Sequence, residues 1–114
     1  MWYIAFIMAT ATRTTTTDIL TKLSSREVKR YYREKGIEYL ALFGSASRGE
    51  SNPESDVDLL VRFNQSVSLL KLVTIERELS EMIGQPADLV TEAALSPRIR
   101  PFIEPDLKTI YEAD

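Results

Sequence analysis

Two carboxylates two positions apart, Asp56 and Asp58, open an apolar run, and ten residues before them the pair Gly44-Ser45 closes another. On a strand, an Asp-x-Asp projects both carboxylates from one face, about 6.6 Å apart along the backbone. At an effective dielectric of about 20 their repulsion is on the order of 2.5 kcal/mol. A divalent cation reverses the sign of that interaction, and carboxylate oxygens suit Mg²⁺, which completes its shell with water and substrate phosphates. Asp88, in a later apolar stretch, supplies a third acid.

Gly44 and Ser45 stand where a strand gives way to a turn or short helix, a place where backbone N–H groups are free and attract anions. Gly44 has no Cβ to keep a phosphate from the main chain. Ser45 has a hydroxyl to cap the turn and to donate to a phosphate oxygen. Arg48 lies in the first turn, where a positive charge opposes the helix dipole unless a bound polyphosphate compensates it. Together these residues form a constellation able to hold a nucleoside triphosphate with its metal. Three acids also allow the division of labour of a two-metal site, one ion activating an attacking hydroxyl and the other holding the triphosphate and its leaving pyrophosphate.

The elements that must position these groups are legible in the periodicity. Ile37 to Phe43 reads as a strand with apolar side chains on both faces: Tyr39, Ala41 and Phe43 on one, Leu40 and Leu42 on the other. Such a strand belongs in the middle of a covered sheet. Asp56 to Phe63 is a second strand, with Val57, Leu59, Val61 and Phe63 on one face and Asp56, Asp58 and Leu60 on the other. Ala87 to Thr91 is a short third strand carrying Asp88, a strand that could lie beside the second.

Helical spacing runs from Asp18 to Lys35, with Ser24 and Ser25 as a candidate break and Gly36 as the stop. A helix capped by Ser66 or Ser68 runs to Ile83, with Leu69, Leu72, Ile75, Leu79 and Met82 on its apolar side and Gly84 ending it. Ser96-Pro97 predicts a brief helix to about Glu104, and Leu107 to Glu112 a final edge strand. The Thr-rich tract from Thr14 to Thr17 reads as a loop ending in a helix cap.

With 114 residues the chain has room for one core and one site. Hydrophobic residues at 44% and charged residues at 27% are ordinary for a soluble globular protein. A net charge of −3 argues against a general nucleic-acid-binding surface. Zero Cys and zero His remove disulfides, Cys/His zinc sites and every mechanism that needs a His base or a Cys nucleophile. Met1 to Ala11 is apolar apart from Thr10, yet it is about half the ~20 residues needed to span a bilayer as a helix. It lacks the basic start of a signal peptide. Residues 1–17 are therefore expected to be a loosely packed leader, with Met8 a candidate initiator, ahead of a single domain over 18–114 in the cytoplasm.

Gly-Ser, ten residues, Asp-x-Asp and the later strand Ala87-Asp88-Leu89-Val90-Thr91 resemble the minimal nucleotidyltransferase family of the polymerase-beta-like superfamily. Arg48-Gly49 matches the Arg-Gly that usually follows the family's Gly-Ser. The similarity covers about residues 18 to 112. It implies an α+β fold, a small mixed β-sheet flanked by helices, with Asp56, Asp58 and Asp88 as catalytic and metal-binding residues and Gly44, Ser45 and Arg48 at the nucleotide. It also implies Mg²⁺-dependent transfer of AMP from ATP, and service as the antitoxin beside a HEPN-domain ribonuclease toxin, silenced by adenylylation of a tyrosine.

Plainer readings compete residue by residue. An isolated Asp-x-Asp is usually a solvated strand end, and Gly-Ser an ordinary turn; their combination with Asp88 favours the site. Arg48 has Glu50 and Glu54 as alternative ion-pair partners. Tyr31 and Tyr32 share helical spacing with Val28, which favours packing over a role as nucleotide acceptors. Arg26, Lys29, Arg30, Arg33 and Lys35 read as one solvated helix side. For the whole chain, the alternatives are a non-catalytic antitoxin or regulatory subunit that inhibits by binding, and a free-standing small-molecule nucleotidyltransferase. A single domain of this size is expected to leave no room for an acceptor site, so recognition is expected to come from a partner in a hetero-oligomer.

Overall fold

A computed structural model of the chain describes residues 15–50 and 56–113. Of the leader expected over residues 1–17, residues 1–14 lie outside the described residues, as does Glu54, an expected partner of Arg48; Thr15, Thr16 and Thr17 are instead the cap and start of a helix.

Helix α1 spans Thr16–Leu23 and opens on a capping box: the Thr15 hydroxyl accepts from the Asp18 amide at 3.0 Å, and Asp18 accepts from the Thr15 amide at 3.3 Å. The helical pattern breaks at Ser24-Ser25 as the hydroxyls suggested. Ser25 caps α2, Arg26–Glu34, and Gly36 follows at φ 77°. Strands β1 (Ile37–Phe43) and β2 (Val57–Phe63) come next, then α3 (Leu69–Ile83), capped by Ser68 and stopped by Gly84 in the left-handed conformation. Strand β3 is Ala87–Thr91, and β4 is Lys108–Glu112.

The sheet order is β3-β2-β1-β4. Strand β1 runs antiparallel to both of its neighbours, β2 and β3 are parallel, and β4 is an edge strand, so the sheet is mixed. A parallel pair needs a long crossover, and α3 supplies it. On one face Leu40, Leu42, Val57, Leu59 and Val61 pack with Ile19, Leu23, Tyr32, Ile75, Leu79 and Ile83, all of them essentially inaccessible to solvent. On the other face Ala41 and Leu60 are buried as well, and the segment from Glu92 to Leu107 lies over Leu60. Strand β1 thus holds the covered central position its two apolar faces require.

Tyr32 is fully buried, and its hydroxyl donates to the Leu23 carbonyl at 2.6 Å. Tyr31 is half-buried and donates to Glu78 at 3.0 Å. Both tyrosines of α2 therefore pack and hydrogen-bond within the fold.

Two expectations need correction. The helical spacing puts Leu69 on the apolar side of α3, but it is 75% exposed, and Leu70 beside it 77%. Full burial in α3 begins only at Ile75, so the first turn of the helix projects past the core. The helix predicted from Ser96-Pro97 to Glu104 is instead a turn over 97–99, the four-residue helix α4 (Arg100–Ile103) and a 3-10 turn, Glu104–Asp106. Pro101 and Pro105 interrupt this stretch and cannot donate to a continuing helical ladder.

Candidate active site

The site is assembled at one end of the sheet, where β1 stops and β2 starts. Phe43 is the register partner of Asp58, so Gly44 leaves β1 beside the Asp58 side chain. Gly44 has φ 75°, and a Cβ built there would collide with Asp58 Oδ2. Only glycine satisfies both the backbone angle and the contact.

From Gly44 to Glu50 the chain winds into consecutive turns rather than a regular helix. The Ser47 and Arg48 amides donate to the Gly44 carbonyl at 3.1 and 3.2 Å, and the Glu50 amide to the Ser45 carbonyl at 2.9 Å. Among the described residues, the amides of Ser45 and Ala46 find no backbone acceptor. They are the donors that such a turn offers to an anion.

Three residues that sequence reasoning did not single out hold this loop in place. The Thr16 hydroxyl, at the start of α1, donates to the Ala46 carbonyl, and the Ser47 hydroxyl donates to the Asp106 carbonyl. Asp106 also accepts from Arg48 Nη1 at 2.7 Å, while Arg48 Nε donates to Glu50 at 2.7 Å. Of the ion-pair partners expected for Arg48, Glu50 is found; Asp106 is added by the fold. Thr16 and Asp106 lie 30 and 58 or more positions from the atoms they hold, so no local signal marks them.

The acids meet across β2 and β3. Asp58 and Asp88 are register partners on adjacent parallel strands, and Asp56 immediately precedes β2. Asp88 sits on an edge strand pinned by α3: Ser80 accepts from the Ala87 amide and Glu76 from the Leu89 amide, each at 2.9 Å. The Val57 amide donates to the Pro86 carbonyl at 2.8 Å, fixing the start of the β2–β3 pairing.

Asp58 is half-buried, whereas Asp56 and Asp88 are exposed. Burial first, then the charges of Asp88 and Asp56, push the Asp58 carboxyl above its ordinary pKa, and Arg48 partly offsets them. Gly44, Arg48, Asp56, Asp58 and Asp88 are thus within contact or electrostatic reach of one another, and Ser45 flanks Gly44.

Among the described residues no group of three or more carboxylates is gathered tightly enough to hold a metal ion by itself. The donor chemistry nevertheless fits Mg²⁺, which commonly takes one or two carboxylates and leaves its other positions to water and phosphate oxygens. A cation beside Asp58 also offsets the charges of Asp88 and Asp56, which add to the effect of burial on its carboxyl.

On the same sheet face as Asp58, a cavity of about 410 Å³ is walled by Leu60, Leu95, Ile103 and Leu107, with Tyr39 and Arg100 at its edge. A second cavity, about 460 Å³, opens at the opposite ends of β2 and β3, by Phe63, Gln65 and Val67, away from the acids.

Residues 25–110 match the family model described as a nucleotidyltransferase domain. A Methanocaldococcus jannaschii chain named as a candidate protein adenylyltransferase is 37% identical over 84 residues, 72% of this chain and 86% of that one. The protein adenylyltransferase MntA of Thermococcus cleftensis is 41% identical over 68 residues, covering 59% of this chain and 69% of its own. Among solved structures, a candidate minimal nucleotidyltransferase superposes with a TM-score of 0.65 at 32% identity, covering 78% of this chain and 93% of that one. A complex of a tri-AMPylated Shewanella oneidensis HEPN toxin with its MNT antitoxin shares the fold, with a TM-score of 0.59 at 17% identity over 81% of this chain and 72% of that one.

Proposed function

Because the chain belongs to the nucleotidyltransferase domain family, we propose that it transfers AMP from ATP, with Mg²⁺, to a tyrosine hydroxyl of a partner HEPN ribonuclease toxin in the cytoplasm, and so acts as that toxin's antitoxin. One observation carries the reading: Asp58, crowded by Asp88 and Asp56, stands against the bare Cα of Gly44 at the mouth of a turn with donors to offer. The names of the relatives support adenylyl transfer to protein, and the neighbour solved with an AMPylated HEPN toxin supports the class of partner.

In the transfer, the acceptor oxygen attacks the α-phosphorus of ATP, the bond from that phosphorus to the bridging oxygen breaks, and pyrophosphate leaves. Mg²⁺ supplies charge neutralisation of the phosphates and lowers the pKa of the attacking hydroxyl. Asp56 and Asp58 are the residues to hold it. Asp88, exposed beside Asp58, assists the nucleophile by accepting its proton. The Ser45 and Ala46 amides and the Ser45 hydroxyl cradle phosphate oxygens, and Arg48 adds a positive charge beside them.

The test is incubation of the chain and a candidate HEPN partner with ATP labelled in the α-phosphate and Mg²⁺. Label is expected on the partner, and not with the Asp56→Ala/Asp58→Ala double variant. Equal labelling by that variant refutes the assignment of the acids. Neutralisation of the toxin in cells by the double variant shows inhibition by binding alone.

A further inference from the structure

We propose that Asp106 is a positioning residue for nucleotide binding: its carboxylate aims the Arg48 guanidinium at the triphosphate and acts on the nucleotide only through Arg48. The inference rests on the place given to Arg48 in the phosphate cradle above. Two carboxylates hold this side chain, Glu50 at Nε and Asp106 at Nη1, each at 2.7 Å, the length of a charge-assisted bond. Glu50 belongs to the same run of turns as Arg48 and moves with it. Asp106 lies 58 positions away, at the end of the 3-10 turn that leads through Leu107 into β4, so it ties the guanidinium to the sheet. With Nε and Nη1 both engaged, the plane and direction of the guanidinium are set. Its third nitrogen, Nη2, has no acceptor among the described residues and is the donor left for a phosphate oxygen.

Residue 106 grips the phosphate loop at two adjacent points. Its main-chain carbonyl accepts from the hydroxyl of Ser47, which is buried, and its side chain accepts from Arg48. The carbonyl bond already fastens the loop to this segment, and it needs no carboxylate. The ion pair adds little to stability, since the Arg48 side chain is 47% exposed and solvent screens such pairs. The Asp106 side chain, at 25% exposure against 59% for Glu50, is the more sheltered of the two anchors. A carboxylate here also adds negative charge beside a site for a polyanion, which by itself opposes binding. Holding a flexible arginine in the orientation that meets phosphate outweighs this, because a side chain ordered beforehand loses less freedom on binding.

The opposite role, an internal anion that occupies Arg48 and competes with the triphosphate, makes a contrary prediction, and calorimetric titration with Mg²⁺-ATP separates the two. Asp106→Ala keeps the carbonyl to Ser47 and removes the aim. It is expected to weaken ATP binding about fivefold, short of the roughly tenfold of Arg48→Ala that bounds any effect exerted through Arg48. Asp106→Asn keeps an acceptor oxygen for Nη1 and is expected to bring affinity back to within about twofold of wild type. In an Arg48→Ala background, Asp106→Ala is expected to change affinity by less than about twofold. Nitrogen relaxation of the Arg48 Nε–H group is the independent readout, expected to show more motion in Asp106→Ala than in wild type or Asp106→Asn. Asp106→Ser, whose hydroxyl is too short to replace the carboxylate, stands in if the alanine variant misfolds.

Tighter ATP binding in both Asp106→Ala and Asp106→Asn makes Asp106 a competitor and overturns the proposal. Unchanged affinity in Asp106→Ala, or equal weakening by it with and without Arg48, overturns it as well. Unchanged ATP affinity in Arg48→Ala removes Arg48 from the cradle, and the positioning role with it. Weakening by Arg48→Ala without coupling to Asp106 leaves the cradle standing and sinks this proposal alone.

Discussion

Gly44 packs its bare Cα against the carboxylate of Asp58, leaving no room for even a methyl group. Strand β1 ends where β2's catalytic-candidate face begins, and the two residues are locked together by the Phe43–Asp58 register. Gly44→Ala is therefore expected to act twice. The positive φ alone costs about 1–2 kcal/mol for an L-residue, and the collision must push Asp58 aside. Urea unfolding checks the first effect. Loss of adenylyl transfer beyond what the lost stability explains, in a variant still folded at the assay temperature, checks the second.

Asp58 gives the protein a pH signature. Its folded-state carboxyl is raised, chiefly by burial and then by Asp88 and Asp56. A raised carboxyl binds its proton more tightly in the folded than in the unfolded chain, so its contribution to stability falls as pH rises from the ordinary aspartate range through the raised value. Asp58→Asn removes that penalty. It is expected to melt above wild type at neutral pH, with the gain vanishing below the ordinary aspartate range. Mg²⁺ is expected to raise the wild-type melting temperature at neutral pH and to leave Asp58→Asn largely unmoved. Thermal unfolding across pH, with and without Mg²⁺, measures both.

Arg48 is exposed, and its ion pairs with Glu50 and Asp106 are of the surface kind that contributes little to stability. Arg48→Ala is expected to leave the melting temperature almost unchanged while weakening ATP binding roughly tenfold, the scale of one charge-assisted contact. Paired calorimetric and thermal measurements separate these outcomes. A large fall in melting temperature with unchanged affinity makes Arg48 a purely structural residue.

Glu76 holds the edge strand that carries Asp88, accepting from the Leu89 amide at 2.9 Å. Glu76→Ala is expected to cost about 1–2 kcal/mol, to speed amide exchange at Leu89 and to lower activity through a loosened Asp88. Glu76→Gln keeps an acceptor oxygen and is expected to restore most of the protection. Hydrogen exchange and turnover on the two variants provide the comparison.

The tyrosines of α2 differ in what they hold. Tyr32→Phe removes the donor to the buried Leu23 carbonyl and is expected to cost about 1–3 kcal/mol. Tyr31→Phe loses a half-exposed bond to Glu78 and is expected to cost less than about 1 kcal/mol. Neither change is expected to alter ATP affinity, which urea titration and calorimetry verify.

Much of this was readable from local pattern. Alternation along β2 places Asp58 on the face opposite Val57, Leu59 and Val61, because a strand turns each successive side chain over. Ser25, Gly36, Ser68 and Gly84 mark the helix ends by what their side chains, or lack of one, allow the backbone to do. These are short-range effects, and residue type with spacing determines them. Strand order, the pairing of Asp58 with Asp88, and the hold of Asp106 and Thr16 on the phosphate loop were decided only by the tertiary structure. So was the exposure of Leu69. Each depends on which distant segments share buried surface, and that choice is made by packing the whole core at once.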